Sequence, residues 1–403
     1  MHILLIHVKK NRLPEHVLRS LEADSLTVIT EPGHLQQYGP GVDVRLVRDV
    51  QDVECLRAEA LALLRQGPVD RIFMPFELGQ AQAAFLRDCF GIPGIGFAEA
   101  NALTNKYVMK LRLREAGLPQ AAFAMAAGID QIERAAEATG WPVIVKRAVG
   151  GGSIDVFRFD TPEEVRAFAQ SPASDAFRGL TCPLVVESLV DIQTEYHCDG
   201  IVDDGEVRFA KASEYFVPVL DHGEHFGTRI LPDGDETARR IRELHRRAVE
   251  ATGLRSGVTH MEFFATAGGL LASEIACRPA GGGIPRALAL QTGVDVWQAC
   301  LDTSLGRAPA VEETPDDAPG TIAHWYLTVP AGRITAMTDE AELRRIEGVV
   351  DVAVNYKVGD AVPDRQNSAS AAMLVFARAD GQAEVERLTK EIYGAYRVEV
   401  GGE

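Results

Sequence analysis

Residues 259–286 read Thr-His-Met-Glu-Phe-Phe-Ala-Thr-Ala-Gly-Gly-Leu-Leu-Ala-Ser-Glu-Ile-Ala-Cys-Arg-Pro-Ala-Gly-Gly-Gly-Ile-Pro-Arg, and they constrain the fold more than any other part of the chain. Two apolar runs flank Ala267-Gly268-Gly269, which has the composition of a hairpin turn. Side chains alternate across a strand, so His260, Glu262 and Phe264 share a face of the first strand, and by the same rule Glu274, Ala276 and Arg278 share a face of the second. A turn centred on Gly268 sets Glu262 opposite Glu274, each six residues away. Cross-strand Cβ atoms lie about 5 Å apart. Two carboxylates at that separation repel each other, and a cation between them removes the conflict. Magnesium takes carboxylate oxygens together with phosphate oxygens, and Arg278 on the same side suits a phosphate chain. A solvated hairpin with incidental acidic residues is the plainer alternative. Phe263, Leu270, Leu271 and Ile275 argue against it, because they make the hairpin half-buried.

The surrounding chain is long enough for two to four domains of about 150 residues each. Its net charge of −17 argues against nucleic acid as a partner. No apolar run approaches the ~20 residues that span a bilayer, and Met1–His7 reads as a strand rather than a signal peptide. The cysteines Cys55, Cys89, Cys182, Cys198, Cys277 and Cys300 have no paired spacing. That argues against a zinc site or a disulfide framework, and for a reducing, cytoplasmic setting.

Residues 1–100 alternate strand and helix signals: strands at 2–8, 26–30 and 71–75, helices at 54–64 and 80–90. Such alternation implies a small parallel sheet. Glu77 sits just past a strand end, where ligands of these sheets collect, although a helix N-terminal charge explains it equally. A helix is expected over 101–115, stopped by Gly117 and Pro119. Strands follow at 142–147 and 183–189, with a helix over 161–169 capped by Thr161. After the Pro/Asp-rich stretch 312–320, residues 321–403 read as an α+β cap, with strands at 321–329, 349–356 and 371–377 and a helix at 382–393.

Trp141-Pro142-Val143-Ile144-Val145-Lys146 is a buried strand that ends in a lysine. Gly150-Gly151-Gly152-Ser153 follows, and a glycine run lets backbone N–H groups close over a phosphate. A plain hairpin turn would also explain these glycines. Ile144 and Lys146 share a face, which sets an apolar contact for a base beside a charge for a phosphate. Leu184-Val185-Val186-Glu187-Ser188-Leu189-Val190 turns from apolar to acidic and exits into a linker. Free backbone groups there can hydrogen-bond an adenine edge, and an ordinary strand end is the alternative.

Taken in order over residues 1–300, these pieces resemble the ATP-grasp carboxylate–amine ligases. The resemblance implies an α/β and α+β ATP-grasp fold. A Rossmann-like pre-ATP-grasp domain would span 1–100, and a small subdomain with the glycine loop 101–205. A large domain would span 206–403, ending in the cap at 321–403, with the ATP cleft between the two α+β subdomains. It also implies the site. Lys106 and Lys146 match the phosphate lysines, with Gly151, Gly152 and Ser153 as the phosphate loop. Glu187, Ser188 and Val190 match the adenine hinge, and Glu195 a ribose contact. Ile144 and Phe264 would sandwich the base. Glu262 and Glu274 match the magnesium carboxylates, and manganese is an alternative metal. Arg278 matches the arginine that steadies an acyl phosphate, and the Gly282 and Gly283 N–H groups would bind oxyanions. The family's Glu-x-Asn-x-Arg run departs here, where Ala276 replaces the metal-binding asparagine.

Thr259-His260-Met261-Glu262, the run Arg278–Gly283, and the segments 348–352 and 357–360 are similar to the L-amino-acid ligase branch. That branch implies an ADP-forming amide or dipeptide synthesis from small-molecule substrates, and it admits a homodimer. His260 would touch a substrate carboxylate or amine, unless it is a structural histidine. Arg286 would pair with a substrate carboxylate, unless it is a helix N-terminal surface residue. The loop with Glu214, His222, Glu224, His225 and Arg229 reads as a lid segment. Two other readings stay open: an ATP-grasp ligase for another carboxylate, such as a biosynthetic intermediate or bicarbonate, and a non-catalytic nucleotide-binding regulator.

Overall fold

A computed structural model describes residues 1–8, 13–22, 25–32, 38–39, 41–152, 154–221, 225–314, 319–363 and 371–401. The first layer contains β1 (His2–His7), α1 (Glu15–Glu22), β2 (Ser25–Thr30), β3 (Asp43–Leu46), α2 (Val53–Leu64), β4 (Arg71–Phe73) and α3 (Gln80–Phe90). Its strands form a parallel sheet in the order β3-β2-β1-β4. Ile3, Leu4, Leu5 and Ile6 are wholly buried, as an interior parallel strand requires.

The single helix expected over 101–115 is two helices, α4 (Phe97–Ala102) and α5 (Lys106–Glu115). Asn105 causes the break. It takes an extended conformation, and its side chain accepts hydrogen bonds from the Tyr107 and Val108 N–H groups as an N-cap. Lys106 therefore opens a new helix, and its own N–H donates to the Ala148 carbonyl at 2.7 Å. The positive end of α5 points at the glycine loop.

A small antiparallel sheet, β5-β8-β6-β7, follows. It comprises β5 (Phe123–Ala126), β6 (Val143–Arg147), β7 (Phe157–Phe159) and β8 (Leu184–Ser188), covered by α6 (Ile132–Thr139) and α7 (Pro162–Gln170). These elements pack their own core around Val143, Val145, Phe159, Phe168 and Val186. Phe168 sits within 4.7 Å of Phe157 and 5.2 Å of Phe159, ring centre to ring centre. Phe168→Ala is expected to destabilise this sheet by about 3–5 kcal/mol. Amide exchange should accelerate in β6 and β8 and stay slow in β1, which belongs to a different core.

The main body is an eight-stranded antiparallel sheet ordered β13-β12-β9-β10-β11-β14-β18-β16. Its strands are β9 (Thr194–Asp203), β10 (Glu206–Tyr215), β11 (Gly227–Ile230), β12 (Gly257–Thr266), β13 (Gly269–Ala276), β14 (Thr321–Leu327), β16 (Val349–Val354) and β18 (Met373–Ala379). Helices α8 (Glu236–Thr252), α9 (Ile284–Thr292), α10 (Val296–Ser304), α11 (Glu340–Leu343) and α12 (Gln382–Ala395) pack against it. A three-stranded sheet of β15 (Gly332–Met337), β17 (Ala361–Val362) and β19 (Val398–Gly401) closes the chain.

Strand pairing crosses the boundary drawn from sequence at residue 205. β9, placed with residues 101–205, hydrogen-bonds β10 and β12 in the large sheet. The strands β14, β18 and β16 of the C-terminal segment extend that same sheet. Composition shifts mark the loops between these strands, but pairing decides which sheet a strand joins. Among the described residues, no helix is long and apolar enough to cross a membrane.

Candidate active site

The hairpin β12–β13 pairs Glu262 with Glu274, as the sequence suggests, but by a different route. The turn has two residues, Ala267 and Gly268, between paired Thr266 and Gly269. That register alone would set Glu262 opposite Ser273 and send Glu274 to the other face. A β-bulge between Glu262 and Phe263 on the pairing path restores the match. Ser273 is the extra residue, and it turns Glu274 onto the Glu262 face.

Cations surround this pair. Lys106 Nζ lies 3.3 Å from Glu274 and 3.8 Å from Glu77, and it donates to the Gly150 carbonyl at 2.5 Å. Arg278 Nε donates to Glu77 at 2.9 Å. Burial alone would raise the Glu274 carboxyl, but Lys106, Lys146 and Arg278 outweigh it and hold the group below its ordinary value. Glu77 thus reaches the cleft from the end of β4. A Cβ on Gly151 would come within 2.9 Å of its carboxylate, so a larger residue there would have to displace the Glu77 side chain.

The small sheet contributes a second set. Glu187 lies 3.0 Å from Lys146 and 2.9 Å from Lys110. Burial opposes its ionisation, yet the two ammonium groups bring the carboxyl down to about 2. Lys110 also donates to the Ser273 carbonyl at 3.4 Å, so one buried ammonium touches both the hinge glutamate and the bulge. Sequence reasoning missed Lys110. The available signal was its place four residues after Lys106, on the same helix face. The Ser188 N–H is used by the Ala122 carbonyl, whereas the Val190 N–H makes no bond among the described residues. Ile144 pairs with Glu187 on β8, and Phe264 pairs with Glu195 on β9; both side chains are half-buried.

Glu195 is buried and accepts from the Val219 N–H at 2.7 Å. Desolvation, then the charge of Glu262, pushes its carboxyl up to about 8. His260 is 6% exposed. Its Nδ1 lies 2.9 Å from Asp199, and its Nε2 lies 3.6 Å from Glu262. Burial alone would lower it, but the Asp199 and Glu262 carboxylates raise it to about 9.

The glycine loop after Arg278 rests on β14. A Cβ on Gly282 would fall 2.1 Å from the Tyr326 hydroxyl, and one on Gly283 would fall 2.6 Å from His324. Tyr326 and His324 thus crowd the backbone that carries the two expected oxyanion donors, Gly282 and Gly283. Arg286 forms an ion pair with Asp351 and lies over the Phe376 ring at 5.7 Å, so its charge is partly neutralised within the protein. Ser153, His222 and Glu224 lie outside the described residues. Of the remaining loop residues, Arg229 pairs with Glu214 at 2.8 Å, and His225 packs edge-on against Tyr393.

The donor set fits a divalent metal beside a polyanion. Four cations (Lys106, Lys110, Lys146, Arg278) face four carboxylates (Glu77, Glu187, Glu262, Glu274), so the cleft is close to neutral. A triphosphate entering it would need divalent counter-charge, and the opposed pair Glu262–Glu274 is where oxygen ligands converge.

Comparison with known proteins agrees with this geometry. The ATP-grasp domain model matches residues 111–287, and the L-amino acid ligase C-terminal domain 2 matches residues 325–401. An L-arginine-specific L-amino acid ligase of Bacillus subtilis is 30% identical over 403 residues, covering 98% of this chain and 97% of that protein. Dapdiamide A synthase of Enterobacter agglomerans is 23% identical over 303 residues, covering 73% of this chain and 72% of that protein. Among solved structures, an L-amino acid ligase from Bacillus licheniformis superimposes with a TM-score of 0.77 at 18% identity, covering 100% of this chain and 99% of that one. An N5-carboxyaminoimidazole ribonucleotide synthetase from Thermotoga maritima superimposes with a TM-score of 0.71 at 16% identity, covering 99% of both chains.

Proposed function

The chain belongs to the ATP-grasp L-amino-acid ligases, and from that premise we propose that it activates an amino-acid carboxylate as an acyl phosphate and transfers it to the amine of a second amino acid. It is an ATP-dependent ligase that forms amide or peptide bonds, so the reading as a non-catalytic regulator is set aside. Ligases of this family use ATP and divalent metal ions, and magnesium is the metal we assign here. The observation that carries the site assignment is the opposed pair Glu262–Glu274 among Lys106, Lys146 and Arg278.

In this reading the nucleotide lies between the small sheet, Phe123–Ser188, and the hairpin. The Ser188 carbonyl and the Val190 N–H read adenine, Ile144 and Phe264 bracket it, and Glu195 meets the ribose. Lys106, at the N-terminus of α5, and Lys146 hold the phosphates, with Gly151, Gly152 and Ser153 closing over them. Metal held by Glu262 and Glu274 would supply charge neutralisation across the transferring phosphate. Arg278 faces the same oxygens and stabilises the acyl phosphate, and the Gly282 and Gly283 N–H groups meet an oxyanion. Catalysis of this kind comes from positioning and fixed charge.

The L-arginine specificity of the Bacillus subtilis relative is not carried over. Glu214 is engaged by Arg229, and Asp351 by Arg286 and Arg344, so neither carboxylate is free to pair with an arginine side chain. We therefore expect apolar or aromatic amino acids to be used at least as well as arginine. Phosphate release across amino-acid pairs should require ATP and magnesium together, with a dipeptide mass appearing in step. Release driven by bicarbonate alone, or by no amino acid, would overturn the substrate assignment. Lys110→Met should raise the KM for ATP about tenfold, because Glu187 then has only Lys146 to orient it; initial rates against ATP concentration measure this.

A further inference from the structure

Ala276 leaves a gap in the donor set, and the fold brings a nitrogen to it. His260 pairs directly with Ala276 across the hairpin, as Glu262 pairs with Glu274. These four side chains share one face, with cross-strand Cβ atoms about 5 Å apart. A methyl group at 276 leaves the space above that pair to the imidazole. The ring is fixed from behind. Its Nδ1 lies 2.9 Å from Asp199 Oδ1, and Asp199 Oδ2 lies 2.6 Å from His197 Nδ1. His197 Nε2 in turn meets the Thr228 hydroxyl at 2.9 Å. Asp199 is 1% exposed, so this chain of polar contacts sits in a dry interior and sets one ring orientation. The nitrogen left facing the cleft is His260 Nε2, 3.6 Å from Glu262 Oε1. A carboxylate behind an imidazole, with the far nitrogen turned to a metal-binding group, is how proteins orient histidine ligands. His197 shows the contrast, since its far nitrogen ends on a hydroxyl.

We propose that His260 ligates the metal through Nε2, in the place that Ala276 vacates, and that Asp199 is its positioning residue. This assigns His260 to the metal rather than to a substrate carboxylate or amine, and it rests on the metal reading of Glu262 and Glu274. A cation set between Glu262 and His260 would meet an oxygen and a nitrogen donor from the same strand face. A nitrogen donor also changes which metal is preferred, because imidazole favours the later first-row ions over magnesium. The enzyme·ADP complex should therefore bind Mn2+ about tenfold or more tightly than Mg2+.

The test is pulsed electron paramagnetic resonance on the native enzyme with ADP and Mn2+. Echo modulation from a directly bound imidazole nitrogen is expected. His260→Gln should remove it and narrow the Mn2+/Mg2+ preference. Asp199→Asn should retain binding but weaken the coupling. Ala276→Asn returns an oxygen ligand and should reduce the nitrogen signal without touching the buried triad. Mn2+ bound with oxygen coordination alone in the native enzyme overturns the proposal while leaving Glu262 and Glu274 as ligands. If ADP brings no Mn2+ to the protein at all, the metal reading of the hairpin fails, and this proposal with it. A nitrogen signal that persists in His260→Gln assigns the ligand elsewhere and also overturns it.

Discussion

Glu274→Gln is expected to lower kcat/KM about a thousandfold, roughly 4 kcal/mol of transition-state stabilisation, in a protein that still folds. The size of the effect follows from what surrounds the carboxylate. Lys106, Lys146 and Arg278 all lower its proton affinity, so it is ionised over the working pH range. Glutamine keeps the shape but removes the charge that holds the metal opposite Glu262. The fold survives because Lys106 retains Glu77 at 3.8 Å and the Gly150 carbonyl at 2.5 Å. The hairpin itself is held by apolar residues such as Phe263, Ala272 and Ile275, all in one buried cluster. Steady-state rates and circular dichroism melts on the same preparation would check both halves. Turnover within tenfold of the native enzyme would remove Glu274 from the metal site.

How much of this was legible in the sequence depends on the range over which each interaction acts. The pairing of Glu262 with Glu274 was readable because a hairpin is local and strand parity is strict. The bulge that produces it was not, since a centred three-residue turn and a two-residue turn with a bulge predict the same partner. The break before Lys106 was readable in principle: Asn105 is a strong cap, but the apolar periodicity on both sides masked it. Lys110 was invisible as a site residue because its partners, Glu187 and Ser273, are 77 and 163 residues away in the chain. The placement of β9, β14, β18 and β16 in one sheet is likewise a matter of long-range pairing. The expected charge of Arg286 toward substrate failed to anticipate Asp351, which comes from a strand 65 residues downstream.

Acid should destabilise the protein in two stages, and two buried histidines set the first. His245 is pushed down to about 4 by burial, and His324 to about 3 by burial and then by the nearby His197. His245 meets only the Thr259 hydroxyl, and neither ring nitrogen of His324 has a hydrogen-bond partner among the described residues. A depressed folded-state value means that the unfolded chain takes up protons first. Each histidine's contribution is therefore intact above about pH 6.5 and is lost as pH falls toward its folded value, at about 1.4 kcal/mol per pH unit. Glu195, raised to about 8, acts in the opposite sense. It binds its proton in the folded state first and adds stability as pH falls from 8 to its ordinary value near 4.5. His260, raised to about 9, has completed its gain by pH 6.5. Two losses against one gain leave a net fall of about 3 kcal/mol between pH 6.5 and 4.5. Below that, Glu195 no longer compensates, and the unfolded chain takes up protons on Glu187 and Asp199 that the folded pairs with Lys110, Lys146, His197 and His260 exclude. The slope should at least double, which consumes most of an ordinary stability margin of about 5–15 kcal/mol by pH 3 to 4. Urea denaturation at pH 7, 5.5, 4.5 and 4 measures the two slopes. His324→Phe, which keeps the stacking on Phe376, should flatten the first stage, since His245 alone balances Glu195. A first stage unchanged in that variant would mean that His324 titrates normally and that its burial is relieved in solution.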